Sequence, residues 1–153
     1  MTVRTTTIAL TAVLISLGLS TTAQGHCQIP CGIYDDDARI SAMLEDVKTI
    51  EKATKAINEL AEKNDADSVN QKIRWTTAKE EHASRIIEVI STYYLTQKIK
   101  PVSQDGKERD AYLSRLEHAH KVMKAAMKTK QSASTDNAKT LHTAIDSFAA
   151  SMK

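Results

Sequence analysis

Apolar residues return at steps of three and four through four successive stretches of the chain, and that spacing limits the fold more than any other feature. Such a period lays one apolar stripe along one side of a helix, whereas a half-buried strand alternates at every second residue. Ile40, Met43, Val47, Ile50, Thr54, Ile57 and Ala61 form the first stripe, behind an acidic cap at Asp35-Asp36-Asp37. After a polar turn at 63–68, a second helix is expected from about Ser68 to Lys100, with Val69, Ile73, Thr76, Glu80, Ala83, Ile87, Ile90 and Tyr94 as its seam. Pro101 stops it. A third helix, about Glu108–Lys130, carries Tyr112, Leu116, Ala119, Met123 and Ala126, and a fourth, about Asp136–Met152, carries Ala138, Leu141, Ile145, Phe148 and Met152. Short polar connections at 101–107 and 131–135 join them. The expectation is an all-α protein, an antiparallel up-down four-helix bundle over residues 35–153.

With aromatics at only 4% of the chain, the core must come from Ile, Leu, Val, Ala and Met. A bundle of this size is only moderately stable alone, which makes a homo-oligomer reasonable. The formal charge of +2 falls to +1 if Arg4 is removed, and acidic and basic residues are interspersed. That pattern offers no basic stripe for nucleic acid. No apolar run reaches the roughly 18 residues of a membrane span, so no membrane association is expected of the mature form.

Residues 1–25 read as an export signal. Arg4 supplies the positive start, Ile8–Leu19 the apolar middle, and Ala23 and Gly25 the small residues before a cut. Cleavage after Gly25 makes His26 the new N-terminus and implies a periplasmic or extracellular protein. A second possible cut, after Ala23, leaves Gln24-Gly25-His26 in front.

Residues 26–34 then form a short, chemically dense segment that holds both cysteines of the chain. A free α-amine at His26, with a pKa of about 8, gives up its proton readily to a metal. The amine and the Cys27 amide close one chelate ring, the Cys27 thiolate closes the next, and Cys31 completes the set if the chain doubles back at Ile29-Pro30. Square-planar N2S2 coordination points to Ni(II) or Cu(II) rather than tetrahedral zinc. Anionic thiolates and an anionic amide make a higher oxidation state reachable, and the His26 imidazole is placed to bind axially. The competing reading is a Cys27–Cys31 disulfide, common in exported proteins. The cut one residue before Cys27 favours the chelate, because a disulfide has no need of a free terminus.

His26-Cys27, Pro30-Cys31-Gly32 and Tyr34 together resemble the N-terminal hook of nickel superoxide dismutases. The likeness extends over 26–153, and Leu44-Glu45-Asp46, Asn70-Gln71, Arg74-Trp75, Lys79-Glu80-Glu81-His82-Ala83 and Thr96-Gln97 resemble the cyanobacterial and marine branch. The resemblance implies one nickel per subunit, held by the amine and imidazole of His26, the amide and thiolate of Cys27 and the thiolate of Cys31. It implies a cis turn at Pro30, Tyr34 gating the face where superoxide arrives, a maturation peptidase, and a hexamer with each hook packed on a neighbour. Gln28, Ser41 and His82 stand where the best-known branch has Asp, Glu and Arg. The partner of the His26 imidazole is therefore open, with His82 and Arg74 as candidates. The leader also differs from the short pro-segments of the cyanobacterial proteins.

Two readings of other classes remain. If the cut falls after Ala23, Gln24-Gly25-His26 is a copper or nickel chelator and the protein a metal-delivery bundle without turnover. A disulfide-bearing helical adaptor would hold no metal. Glu117-His118-Ala119-His120 contains half of a di-iron pattern but has no second copy, so it reads as surface, as do His118 and His142. Glu80 reads as a salt-bridge partner of Lys79 or Arg74 from a neighbour rather than as a buried functional acid, and Trp75 as packing or a subunit contact rather than a substrate site.

Overall fold

A computed structural model describes residues 28–103 and 105–153; the leader, His26 and Cys27 lie outside the described residues. The described residues form four helical rods and no strand. Helix α1 spans Asp36–Glu59 and α2 spans Ala66–Glu88, which runs on as a π-helix over Val89–Lys98. Helices α3 and α4 span Lys107–Gln131 and Thr135–Ser151. Side-chain capping sets the first two starts. Asp35 accepts the Ala38 N–H, and Asp65 accepts the N–H and hydroxyl of Ser68. Those two bonds hold the Asp65 carboxyl below its usual pKa. At the start of α3, Gly106 adopts φ +127°, a conformation L side chains rarely reach.

Each helix packs on its sequence neighbours, and α4 closes back on α1. Cross-links between opposite ends show that neighbours run antiparallel. Asn58 near the end of α1 donates to Ala133 before α4, and Arg115 near the start of α3 donates to Ser151 at the end of α4. Met43, Val47 and Ile50 from α1 meet Ala83, Ile86, Ile90 and Tyr94, then Ala119, Val122 and Ala126, then Leu141, Ile145 and Phe148. Each large apolar side chain fully buried here contributes roughly 1.5–3 kcal/mol relative to exposure. No described helix is long and apolar enough to cross a membrane.

The expected seam of α2 needs correction in its first half. Val69 and Ile73 are 40% and 62% exposed, and Thr76 is exposed, while Lys79 and Ile86 are buried. Lys79 turns inward because its ammonium donates to the carbonyls of Thr129, Lys130 and Ser132 at the end of α3. A helix C-terminus leaves such carbonyls without partners, and a cation there also complements the helix dipole. Burial nevertheless pushes the Lys79 pKa down. Glu80, half-buried on the same helix, is not among the hydrogen-bond acceptors of that ammonium. Trp75 is half-buried under the Lys52 ammonium, 5.7 Å from its ring centre, a packing contact between α1 and α2.

Candidate metal centre

The chain arrives at α1 through a tight turn. The Ile29–Pro30 bond is cis, the Ile33 N–H returns to the Pro30 carbonyl at 3.1 Å, and Cys31 and Gly32 take φ +42° and +89°. Cys31 is exposed on this turn, between Ile29 and Ile33, which are 87% and 82% exposed.

The turn rests on the π-helix. There the backbone steps to i+5 bonding, seen where the Ile99 N–H reaches the Tyr94 carbonyl at 2.8 Å. Polar side chains supply further bonds along it. Thr92 donates to Glu88 O, Thr96 to Ser91 O and Gln97 to Thr92 O, the last two reaching back five residues. Gln97 is 6% exposed and faces the turn. Its Oε1 accepts the Cys31 N–H at 3.1 Å and its Nε2 donates to the Ile29 carbonyl at 3.2 Å. The Tyr34 hydroxyl donates to the Gln97 main-chain carbonyl at 3.2 Å. One residue thus ties down the backbone on both sides of the cis bond and the phenol after it.

Beneath Tyr34 lies a file of rings in edge-to-face contact. Centroid separations are 5.6 Å from Tyr34 to Tyr93, 4.8 Å to Tyr94 and 4.7 Å on to Phe148. Asp36 joins them to the start of α1. Its Oδ1 accepts the Tyr93 hydroxyl at 2.8 Å, its main-chain carbonyl accepts the Tyr94 hydroxyl at 3.2 Å, and its Oδ2 meets Lys98 Nζ at 2.8 Å. The same Lys98 ammonium lies 5.1 Å from the centre of the Tyr34 ring. Burial first, and then the Asp36 carboxylate, push the Tyr93 pKa up to about 12; burial pushes Tyr94 up as well.

Of the expected site residues, Cys31 and Tyr34 therefore share one end of the bundle, while His26 and Cys27 lie outside the described residues. Among the described residues no group of three or more His, Cys, Asp and Glu side chains could hold a metal. The described part of the hook still suits one. It presents an exposed thiol on a backbone fixed at both flanks, and thiolate is a soft ligand fit for late transition metals. His82 lies fifteen residues before Gln97, roughly 20 Å along the helix, and its Nδ1 meets Asp46 Oδ1 at 2.5 Å. Arg74 is exposed a further two turns away. Neither is among the contacts of Cys31.

The model of the family described as nickel-containing superoxide dismutase matches residues 21–153. The chain belongs to the nickel superoxide dismutase family. Its activity class is superoxide dismutation, its substrate superoxide and its cofactor nickel. No curated protein and no solved structure matches the chain. Cys31, exposed on its braced turn, is the one thiol that the described residues of this nickel superoxide dismutase offer.

The other motifs stay apart from this end. Glu117 pairs with Lys121 at 2.6 Å, which lowers its pKa, and His118 Nδ1 meets the Ser114 carbonyl at 2.8 Å. His118 and His142 are half-buried rather than fully solvated. A groove of about 670 Å³ between α3 and α4 contains His118 and His120 but shares no residue with the turn. Gln97 carries no sequence signal beyond its place in the Thr96-Gln97 resemblance, and Asp36 looked like a helix cap alone.

Proposed function

We propose that the chain is exported, loses residues 1–25 to a maturation peptidase, and works as a superoxide dismutase with His26 as its N-terminus. The reaction joins two superoxide ions and two protons into one oxygen and one hydrogen peroxide. The hook, residues 26–34, holds nickel through the amine and imidazole of His26, the amide and thiolate of Cys27 and the thiolate of Cys31. Nickel so bound supplies one-electron chemistry by alternating between the +2 and +3 states. The observation that carries this reading is the brace between Gln97 and Cys31, in a chain whose family match spans 21–153.

Each described residue has a task in that scheme. Gln97 holds the Cys31 backbone, so the thiolate needs little reordering when the metal arrives. Tyr34 stands at the open face, held by the Gln97 carbonyl on one side and the Tyr93 ring on the other, and screens what approaches. The exposed Ile29 and Ile33 support a homohexamer in which each hook seats on a neighbouring subunit and buries those two side chains.

Intact-mass measurement of the exported protein tests the reading. A chain beginning at His26 with one nickel is expected. A chain beginning at Gln24 would overturn it, because Gln24-Gly25-His26 chelates metal without forming the hook.

A further inference from the structure

We infer that the groove between α3 and α4 binds a single-chain amphiphile with a phosphate head, its chain on a floor of alanines and its head among Lys124, Lys128 and Lys139. The groove shares no residue with the turn before α1, so this site goes beyond the dismutase reading and does not depend on it.

Shape comes first. The groove holds about 670 Å³, in the range of sites that take a small organic ligand. Along α3 it runs from His118 to Lys128, a rise of roughly 15 Å, which suits a chain better than a compact ion. Ala125 and Ala144 form its floor; Ala125 is 5% exposed and Ala144 packs against the core. Their small side chains leave the space between the helices open. The walls include the stems of Lys121, Lys124, Lys128 and Lys139, which offer methylenes to a chain while their ammoniums stay in water.

Charge then selects the head. Four lysines line the groove and no carboxylate does. Lys121 and Lys139 pair with Glu117 and Asp136 on their own helices, but these pairs are exposed, and an incoming anion displaces them at little cost. Lys124 and Lys128 have no ion-pair partner among the described residues. The neutral donors are already committed. Thr140, Thr143 and Ser147 donate to the carbonyls of Asp136, Lys139 and Thr143 one turn back on α4. An uncharged sugar would find those hydroxyl protons in use, whereas an anion finds free cations.

The same contacts give the ligand a direction. Asn137 donates to the Lys128 carbonyl at 3.2 Å, which brings the start of α4, and Lys139 with it, to the end of α3. At the far end His118 directs its Nδ1 proton to the Ser114 carbonyl at 2.8 Å. The head therefore sits at the lysine end, where a doubly charged phosphate meets three point charges, and the chain runs toward His118 and Ser147.

Calorimetric titration and amide NMR mapping with dodecyl phosphate, kept below its critical micelle concentration, test the site. Inorganic phosphate carries the charge alone and dodecyl maltoside the chain alone. One dodecyl phosphate per chain is expected, with the largest amide shifts at Ala125 and Ala144 and binding about tenfold or more tighter than either control. Lys124→Gln/Lys128→Gln should weaken it about tenfold, while Lys48→Gln/Lys55→Gln on the exposed face of α1 leaves it unchanged. Equal binding of inorganic phosphate would overturn the inference, since the floor would then contribute nothing. Equal binding of dodecyl maltoside would overturn it for the opposite reason. An equal loss in Lys48→Gln/Lys55→Gln would do so too, by showing diffuse attraction to the whole surface.

Discussion

Gln97 and Cys31, separated by 66 positions, are joined by one hydrogen bond of 3.1 Å from the Cys31 N–H to the Gln97 side chain. The other end of the same amide holds Ile29 and Thr92, so a single buried side chain clamps the turn to the π-helix. Replacing Gln97 by Leu leaves one donor and two carbonyls without partners. Urea unfolding should show a loss of about 1–3 kcal/mol, and metal analysis a reduced nickel content after matched loading. Unchanged values for both would mean the turn holds itself.

Cys31→Ser removes the proposed soft ligand from an exposed position. Nickel and dismutase activity should both disappear, while the helical circular dichroism and Tm match those of the nickel-free wild type. Retention of nickel in this variant would refute the proposed ligand set.

One extra residue left before His26 turns the amine into an amide, a far poorer ligand. Such a protein should be inactive while folding normally. Wild-type turnover, measured by pulse radiolysis, would show that the amine is not a ligand.

Alkaline pH should loosen the hook end of the bundle. Tyr93 has a pKa raised to about 12 in the fold against about 10 unfolded, so the native state holds its proton more tightly. The stability this confers is complete below pH 10 and is lost as pH rises through 12, on the order of 2–3 kcal/mol. Lys79 acts in the opposite sense, since its lowered pKa makes stability rise up to 10.5, where the unfolded lysine also loses its proton. The window from 10.5 to 12 therefore isolates the phenols. Tyr93→Phe should flatten the fall in urea-unfolding stability there, and an equally steep fall would assign it elsewhere.

Lys79→Met keeps the buried alkyl length and removes the ammonium that closes the end of α3. The freed carbonyls should cost about 1–3 kcal/mol in urea unfolding. A stabilised variant would mean that burying the charge outweighs the capping.

The stripes of α1 and α4 could be read almost residue by residue. Met43, Val47, Ile50 and Thr54, and Ala138, Leu141, Ile145 and Phe148, are buried as their spacing predicts. The stripe of α2 could not. Val69 and Ile73 look more apolar than Lys79, yet Lys79 is inside, because its partners are carbonyls at the end of a helix fifty residues on. Before α1, the doubling back of the chain at Ile29-Pro30 was legible from its residue types, but the side chain that holds the turn was not. A glutamine among polar neighbours gives no periodic signal.

Sequence alone determined the helical class, three breaks between four helices, the first falling at 60–65 rather than the expected 63–68, and the family that residues 26–34 mark. Those features depend on local period, on turn chemistry and on groups adjacent along the backbone, all of which are written in linear order. Tertiary structure decided which face of α2 is buried, that Gln97 clamps the turn, and that Asp36 gathers Tyr93, Tyr94 and Lys98 beneath Tyr34. Those contacts join the start of α1 to the end of the π-helix. They form only because antiparallel packing brings together two ends that lie about sixty residues apart in the chain.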